Sequence, residues 1–105
     1  MRKVAITGIG VISCLGNNKT EVLDSLKKGQ SGLKHNQEYI DNGMRCHVSG
    51  QVNPDLDQIE RKMMRFMSET SAYAFLATKE AIEDSGLSDG DIATDRVGVI
   101  VRSEE

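Results

Sequence analysis

The apolar and polar positions of residues 59–68 (IERKMMRFMS) separate onto two faces when the segment is wound as a helix. The apolar face holds residues at i, i+4, i+7 and i+8, which form one stripe at about 100° per residue: Ile59, Met63, Phe66 and Met67. The opposite face holds three cations: Arg61, Lys62 and Arg65. One interpretation of these cations is a docking surface for an acidic partner. The alternative is an ordinary solvated face whose charges favour the helix C-terminus.

Two longer helices are predicted from their end signals. Asn18 is expected to cap the first helix, with Glu21 reaching back to it in a capping box and Gly29 ending it in the left-handed conformation. Ser68 is expected to cap the second helix, over residues 69–85, which ends before the next glycine. The predicted inner faces are Val22, Leu23 and Leu26 in the first helix, and Ala72, Phe75, Leu76 and Ile82 in the second.

Four short stretches predict strands. Residues 3–9 (KVAITGI) and 96–101 (RVGVIV) have the continuous apolar character of strands buried in a sheet, whereas Leu33–His35 and 46–49 read as short edge strands. The order strand, helix, helices, strand favours an α/β layer fold. A sheet of only two strands, with helices on one side, leaves both of its faces without enough packed side chains. We therefore expect the front part of something larger, incomplete on its own, with no internal domain boundary.

Composition narrows the class of protein. The 105 residues are 38% hydrophobic and 28% charged, which is typical of one globular domain. A net charge of −3 argues against general nucleic-acid binding, which depends on a basic surplus. No apolar run approaches the roughly 20 residues that cross a bilayer. We expect a cytoplasmic chain that contacts neither nucleic acid nor membrane.

The two cysteines, Cys14 and Cys46, are too few for a disulfide framework and stand in no metal-binding spacing. His47 follows Cys46 directly, and neighbours along an extended strand point to opposite faces, so this pair is not expected to chelate an ion. We therefore expect reduced thiols and no metal site. A lipoprotein signal ending at Cys14 is the less favoured alternative, because a threonine and two glycines interrupt its short apolar region.

Gly8 and Gly10 fit the GxG start of a dinucleotide fingerprint, in which glycines let the backbone approach a pyrophosphate. The fingerprint then fails, because its third glycine position holds Ser13 and no acidic residue follows at the end of a second nearby strand. Close packing of the strand is the better explanation of these glycines. We expect no cofactor.

Five segments follow one another between residues 3 and 101: VAITGIGVISCLGNN, GLKHNQEYIDNGMRCHVSG, RKMMRFMS, AIEDSGL and RVGVIV. Together they resemble the opening of the β-ketoacyl-acyl carrier protein synthases. The TGIG opening is shared by many thiolase-fold condensing enzymes, whereas GMR-H-V-G combined with RK--RFMS is similar to the synthase I type. The resemblance covers nearly the whole chain.

This resemblance implies a thiolase fold, a homodimer and fatty acid elongation by decarboxylative Claisen condensation. In that chemistry a cysteine thiolate accepts the acyl group, while two histidines and backbone amides stabilise charge on the thioester oxygens. The cysteines and histidines of this chain do not match those catalytic residues: Cys14, Cys46, His35 and His47. We therefore expect no catalytic residue in the chain and no condensation by these 105 residues alone.

The resemblance also implies a role for the basic segment. In the synthase I type the corresponding side chains form part of the surface that receives the acidic acyl carrier protein. The candidate carrier-binding residues are Arg61, Lys62 and Arg65, with Arg45 as a weaker candidate. Exposed ion pairs are worth only about 0–1 kcal/mol each, so such a surface would steer the encounter more than hold the complex.

The end of the chain departs from the resemblance. Relatives continue after the last strand with a serine followed by glycines, whereas residues 102–105 read RSEE. The chain is either a fragment whose last residues arose by cloning or gene truncation, or a natural remnant. Two function classes remain open: the N-terminal part of a ketoacyl synthase, and a non-catalytic carrier-binding or dimerising module on the same scaffold.

Overall fold

The computed structural model describes residues 1–102 of the chain. In that range the elements follow in this order: α1 (Lys19–Lys28), β1 (Leu33–His35), α2 (Gln37–Asp41), β2 (Val48–Gly50), the 3₁₀ turn Leu56–Gln58, α3 (Arg61–Met64), α4 (Glu69–Ser85) and α5 (Asp89–Ile92). The protein therefore combines several helices with a small sheet.

Helix α1 begins and ends where the sequence predicts. The Asn18 side chain accepts a hydrogen bond from the Glu21 N–H (2.9 Å), and Gly29 ends the helix with a φ of 64°. The carboxylate of Glu21 reaches one residue further back than predicted, because it accepts from the Asn17 N–H (2.7 Å). The predicted inner face is wrong in large part: Val22 is half-buried, whereas Leu23 and Leu26 are exposed. An apolar stripe is buried only where another layer covers it.

Helix α4 is confirmed over its whole predicted length. Ser68 Oγ accepts a hydrogen bond from the Ser71 N–H (3.2 Å) at its start, and Gly86 ends it with a φ of 71°. The predicted inward residues lie on its covered side, where Ala72 and Leu76 are buried and Phe75 and Ile82 are half-buried.

The two strands pair antiparallel, with Leu33 opposite Gly50 and His35 opposite Val48. Strand β1 has its predicted bounds, whereas β2 starts two residues later than the predicted strand over 46–49. Helix α2 between them was not predicted. Asn36 caps it by accepting from the Glu38 N–H (3.1 Å), so the chain leaves the ribbon directly after His35.

The N-terminal segment lies along α4 in direct backbone contact. A Cβ on Gly8 would lie 2.1 Å from the Ala81 carbonyl oxygen, and a Cβ on Gly10 would lie 1.8 Å from that of Ala77. Both distances are far inside van der Waals contact. The two glycines are therefore explained by close packing, as predicted, but the packing partner is a helix rather than a neighbouring strand.

Two acidic side chains of α4 bind the backbone of this segment. The carboxylate of Glu80 accepts from the Val11 N–H (2.9 Å) and the Lys19 N–H (2.7 Å), which ties the segment to the start of α1. Asp84 accepts from the Ile9 N–H (3.0 Å) and forms an ion pair with the Lys19 ammonium. The pKa of Asp84 lies below its ordinary value of 3.8. The hydrogen bond from Lys19 is the largest cause, and the bond from the Ile9 N–H is the second.

The predicted strands over residues 3–9 and 96–101 do not form. Both segments lack strand structure, and their apolar side chains are exposed, with Val4 94% and Ile100 99% accessible. The residue types favour strands, but a strand exists only when a neighbour satisfies its backbone hydrogen bonds. Within residues 1–102 the only sheet is that of β1 and β2, and one isolated antiparallel bridge joins Ser13 to Gly16. Of the divergent end, residues 103–105 lie outside the described residues.

Helix α5 and the 3₁₀ turn were also not predicted. Ser88 and Asp91 form a capping box at the start of α5, in which the Asp91 carboxylate accepts from the Ser88 hydroxyl (2.6 Å) and N–H (2.9 Å). These two hydrogen bonds lower the pKa of Asp91 below 3.8. Such short elements depend on one or two capping contacts and carry no hydrophobic periodicity.

The core of the described part is small and lies between α4 and the segment before it. Ile59, Ala72 and Leu76 are buried there, and four partly buried side chains pack against them: Ile12, Met64, Met67 and Phe75. Within residues 1–102 none of the helices combines the length and the apolar character needed to cross a lipid bilayer.

Candidate functional site

The basic segment is a short turn rather than the predicted helix over residues 59–68. The Glu60 carbonyl accepts from the N–H groups of both Met63 (2.9 Å) and Met64 (3.0 Å), and α3 ends there. The next two bonds span three residues, from the Phe66 N–H to Met63 (3.0 Å) and from the Met67 N–H to Met64 (3.3 Å). This tighter 3₁₀-like spacing replaces the α-helical one.

The tighter turn changes which apolar side chains face the core. Ile59 is buried, with 4% of its surface accessible, and Met64 and Met67 pack on the core. Phe66 is 91% accessible, and Met63 is exposed as well. The predicted stripe is therefore half wrong, because its spacing assumed 3.6 residues per turn throughout.

The predicted cations lie in two places. Arg61 and Lys62 belong to α3 and Arg65 is its C-cap residue, and all three are exposed. Arg45 is also exposed but lies in the loop between α2 and β2. The structure thus brings Arg61, Lys62 and Arg65 together on one turn and leaves Arg45 in a separate loop.

The charges of these four residues are not neutralised within the described part of the chain. The ion pairs between residues 1 and 102 join Lys19 to Asp84 and Lys28 to Asp24. Since Met64 of α3 and Met67 just after it pack on the core, the three cations of the turn are held at the surface by a packed support. A fixed local concentration of positive charge attracts an acidic surface, although the chain as a whole carries a net charge of −3.

The two thiols lie in different surroundings and are both free. Cys14 is half-buried where the chain passes Gly32 and Gly50; a Cβ on Gly32 would lie 2.5 Å from its sulfur. Cys46 is exposed and donates a weak hydrogen bond to the Val48 carbonyl (3.6 Å). Within residues 1–102 no hydrogen bond joins a thiol to a histidine, which is the usual signature of an activated cysteine nucleophile.

One arrangement escaped the sequence analysis. The rings of His35 and His47 lie 6.3 Å apart, measured between their centroids, in an edge-to-face arrangement. The predicted strands over 33–35 and 46–49 already carried both residues, so pairing those strands antiparallel would have indicated this contact. In the part of the chain that the structure describes, no three His, Cys, Asp or Glu side chains converge as a metal site.

Comparison with known proteins places this chain in a family. The family model for the β-ketoacyl synthase N-terminal domain matches residues 1–104. The chain belongs to the β-ketoacyl synthase family. Membership confirms the resemblance drawn from the TGIG, GMR-H-V-G and RK--RFMS motifs, and it assigns the helices and small sheet to the N-terminal domain of such a synthase.

Individual ketoacyl synthases align over nearly all of the chain. The similar proteins include 3-oxoacyl-[acyl-carrier-protein] synthase 1 of Haemophilus influenzae, 48% identical over 103 residues, and that of Escherichia coli K12, 49% identical over 105 residues. The alignments cover 96% and 98% of this chain but 25% and 26% of those relatives. A synthase 2 from Staphylococcus aureus N315 is 31% identical over 104 residues, with coverages of 97% and 25%. The chain thus spans about a quarter of the length of its relatives.

Proposed function

We propose that this chain is the N-terminal part of a 3-oxoacyl-[acyl carrier protein] synthase, an acyltransferase that elongates fatty acids by decarboxylative Claisen condensation of acyl and malonyl thioesters. The observation that carries the proposal is the identity of 48–49% to synthase 1 relatives over almost the entire chain. In this proposal residues 1–105 form one segment of a thiolase-like domain, without an internal boundary, in a cytoplasmic homodimer.

The part played by this segment is to supply scaffold and to dock the carrier protein. Arg61, Lys62 and Arg65 are the main docking residues and Arg45 an additional one. Their exposure supports this role, as does the absence of ion-pair partners for them within residues 1–102. Each exposed contact contributes about 0–1 kcal/mol, so the surface acts chiefly by raising the rate of encounter with an acidic carrier.

The condensation chemistry comes from residues outside this segment. Cys14 is confined beside Gly32 and Gly50, Cys46 is bonded to a backbone carbonyl, and neither is paired with a histidine within the described residues. We therefore assign no catalytic residue to this segment.

A chimeric enzyme tests the proposal. Residues 1–101 would replace the aligned segment of the synthase 1 of Escherichia coli, with which the chain is 49% identical, and condensation of acyl- and malonyl-carrier would be assayed in the purified chimera. We expect a folded dimer with condensing activity. A folded chimera that binds carrier without condensing would favour the alternative, a non-catalytic carrier-binding or dimerising module.

A further inference from the structure

An asparagine followed by a glycine ends helix α2. Asn42 is the C-cap residue of α2, and Gly43 follows it in the left-handed conformation with a φ of 67°. Both residues are exposed. The sequence has other asparagines, none of which precedes a glycine: Asn17, Asn18, Asn36 and Asn53. The side chain of Asn42 is therefore the one that adjoins the backbone nitrogen of a residue without a Cβ.

This pair has the chemistry of a spontaneous modification site. Asparagine is one of the thermolabile residue types, because the backbone nitrogen of the next residue can attack its side-chain carbonyl carbon. A glycine in the next position has no Cβ to hinder the attack, and its backbone turns freely. We propose that Asn42 deamidates spontaneously through the Gly43 nitrogen, and that opening of α2 sets the rate.

The reaction needs only water and mild base. The Gly43 nitrogen forms a bond to Cγ of Asn42, and the bond from Cγ to Nδ2 breaks. Nδ2 leaves as ammonia and takes the proton that the Gly43 nitrogen gives up, so a cyclic imide remains in the chain. Water then opens the imide at either of its carbonyls. One opening gives aspartate, and the other gives isoaspartate, in which the backbone runs through the former side chain.

The folded structure holds the two reacting groups apart. The Gly43 N–H donates to the Ile40 carbonyl (2.9 Å), as in a glycine cap at a helix end. The Asn42 side-chain amide donates to the Glu38 carbonyl (2.9 Å). With a ψ of 5°, Asn42 keeps the Gly43 nitrogen beside its own backbone nitrogen rather than over its side chain. Attack therefore requires the end of α2 to open and both hydrogen bonds to break.

Helix α2 has little to keep it closed. It is five residues long, and none of them is buried. A helix of this length is unstable in water by itself, so it depends on its caps. At its start the Asn36 side chain accepts from the Glu38 N–H (3.1 Å). Elements with few buried contacts open locally at a small part of the free energy of global unfolding. The reactive conformation is therefore reached while the core stays folded.

The modification makes the opening permanent. Aspartate at position 42 has no N–H to donate to the Glu38 carbonyl, and its negative charge lies at the negative end of the helix, beside that of Asp41. Isoaspartate lengthens the backbone and displaces Gly43 from its bond to Ile40. Either product destabilises the end of α2. The extent of conversion therefore increases with the time that α2 has spent open.

Peptide mapping by mass spectrometry tests the proposal. The purified 105-residue chain is incubated at mildly alkaline pH, both folded and unfolded in guanidinium chloride, and conversion of each asparagine is followed over time. Asn42 should convert ahead of the other asparagines in both states, faster in the unfolded chain, with isoaspartate among the products. The proposal is overturned if Asn42 converts no faster than the other asparagines, or if its rate is the same in the folded and the unfolded chain.

Two variants of the α2 N-cap test the role of the helix. Asn36→Ala removes the acceptor for the Glu38 N–H, and loss of such a cap should raise the conversion rate of Asn42 about fivefold. Asn36→Asp is the matched control, since it keeps an acceptor there and should convert at nearly the original rate. Equal rates in Asn36→Ala and the original chain would contradict control by α2. Circular dichroism checks both folds, and the comparison of folded with unfolded original chain decides if Asn36→Ala does not fold.

Discussion

The α-carbon of Gly10 lies against the carbonyl of Ala77, so closely that a Cβ at this glycine would come within 1.8 Å of the Ala77 oxygen. Only a residue without a side chain lets the N-terminal segment approach α4 in this way. The contact positions the Val11 and Ile9 N–H groups on the carboxylates of Glu80 and Asp84. A TGIG opening thus serves packing between the first segment and the long helix.

We expect Gly10→Ala to detach this segment. Since overpacking typically costs about 1–3 kcal/mol, the free energy of unfolding measured in urea should fall by that amount. Hydrogen exchange at the Val11 amide should accelerate, because its bond to Glu80 would be lost. Gly98→Ala is the control, since no atom lies within 4 Å of a Cβ there and its stability should change by less than about 1 kcal/mol. Equal effects at the two glycines would contradict this account.

The pKa of Asp84 predicts an acid-labile contact. A carboxyl whose folded-state pKa lies below its ordinary value of 3.8 contributes stability that is present at neutral pH and is lost as the pH falls through the folded-state pKa. Asp84→Asn should therefore lower the free energy of unfolding at pH 7. The gap between original and variant should shrink as the pH falls below about 4.

Urea denaturation at a series of pH values measures this gap. Asp95→Asn is a suitable control, because Asp95 is an exposed carboxylate outside the contact with the N-terminal segment. A gap between the original chain and Asp84→Asn that stays constant from pH 7 to pH 3 would contradict the role of Lys19 and Ile9 in holding the carboxylate ionised.

Charge reversal tests the docking surface. In a full-length synthase that carries this segment, the variant Arg61→Glu/Lys62→Glu/Arg65→Glu should bind acyl carrier protein with a slower association rate and a weaker dependence on salt, because the three cations steer the encounter. Stability should change little, since all three side chains are exposed.

A matched triple variant makes this test specific. Lys27→Glu/Lys34→Glu/Lys79→Glu changes the net charge equally at exposed positions in α1, β1 and α4, outside the turn. It should bind carrier almost normally. If both triple variants weaken binding equally, only the overall charge matters. If the docking variant unfolds, the aliphatic parts of these side chains stabilise the fold by packing, and the residues have a structural role.

The surroundings of the two thiols predict that neither becomes acylated. Purified chain incubated with acyl-carrier should show no stable thioester on Cys14 or Cys46 by mass spectrometry, because no histidine is hydrogen-bonded to either sulfur within residues 1–102. Condensing activity with acyl- and malonyl-carrier should be absent as well. Ketoacyl product from a preparation free of host synthase would overturn the assignment of no catalytic residue.

Local signals predicted the two longer helices, α1 and α4, well. The caps of α1 and α4 depend on Asn18, Ser68 and the glycines that follow each helix, and these contacts lie within a few residues of one another. The cations of the turn could likewise be named from the sequence, since their exposure follows from charge alone. Their role as a docking surface stays a prediction, because only the family resemblance names the partner.

Sequence by itself determined where the two longer helices, α1 and α4, begin and end, which glycines permit close packing, and to which family the chain belongs, because all of these depend on residue type and spacing. Tertiary structure decided whether strand-forming segments became strands, since residues 3–9 and 96–101 need partners that local sequence does not supply. It also decided that Phe66 faces solvent and that His35 meets His47. Both outcomes depend on how the backbone turns between distant contacts, and periodicity alone does not contain that information.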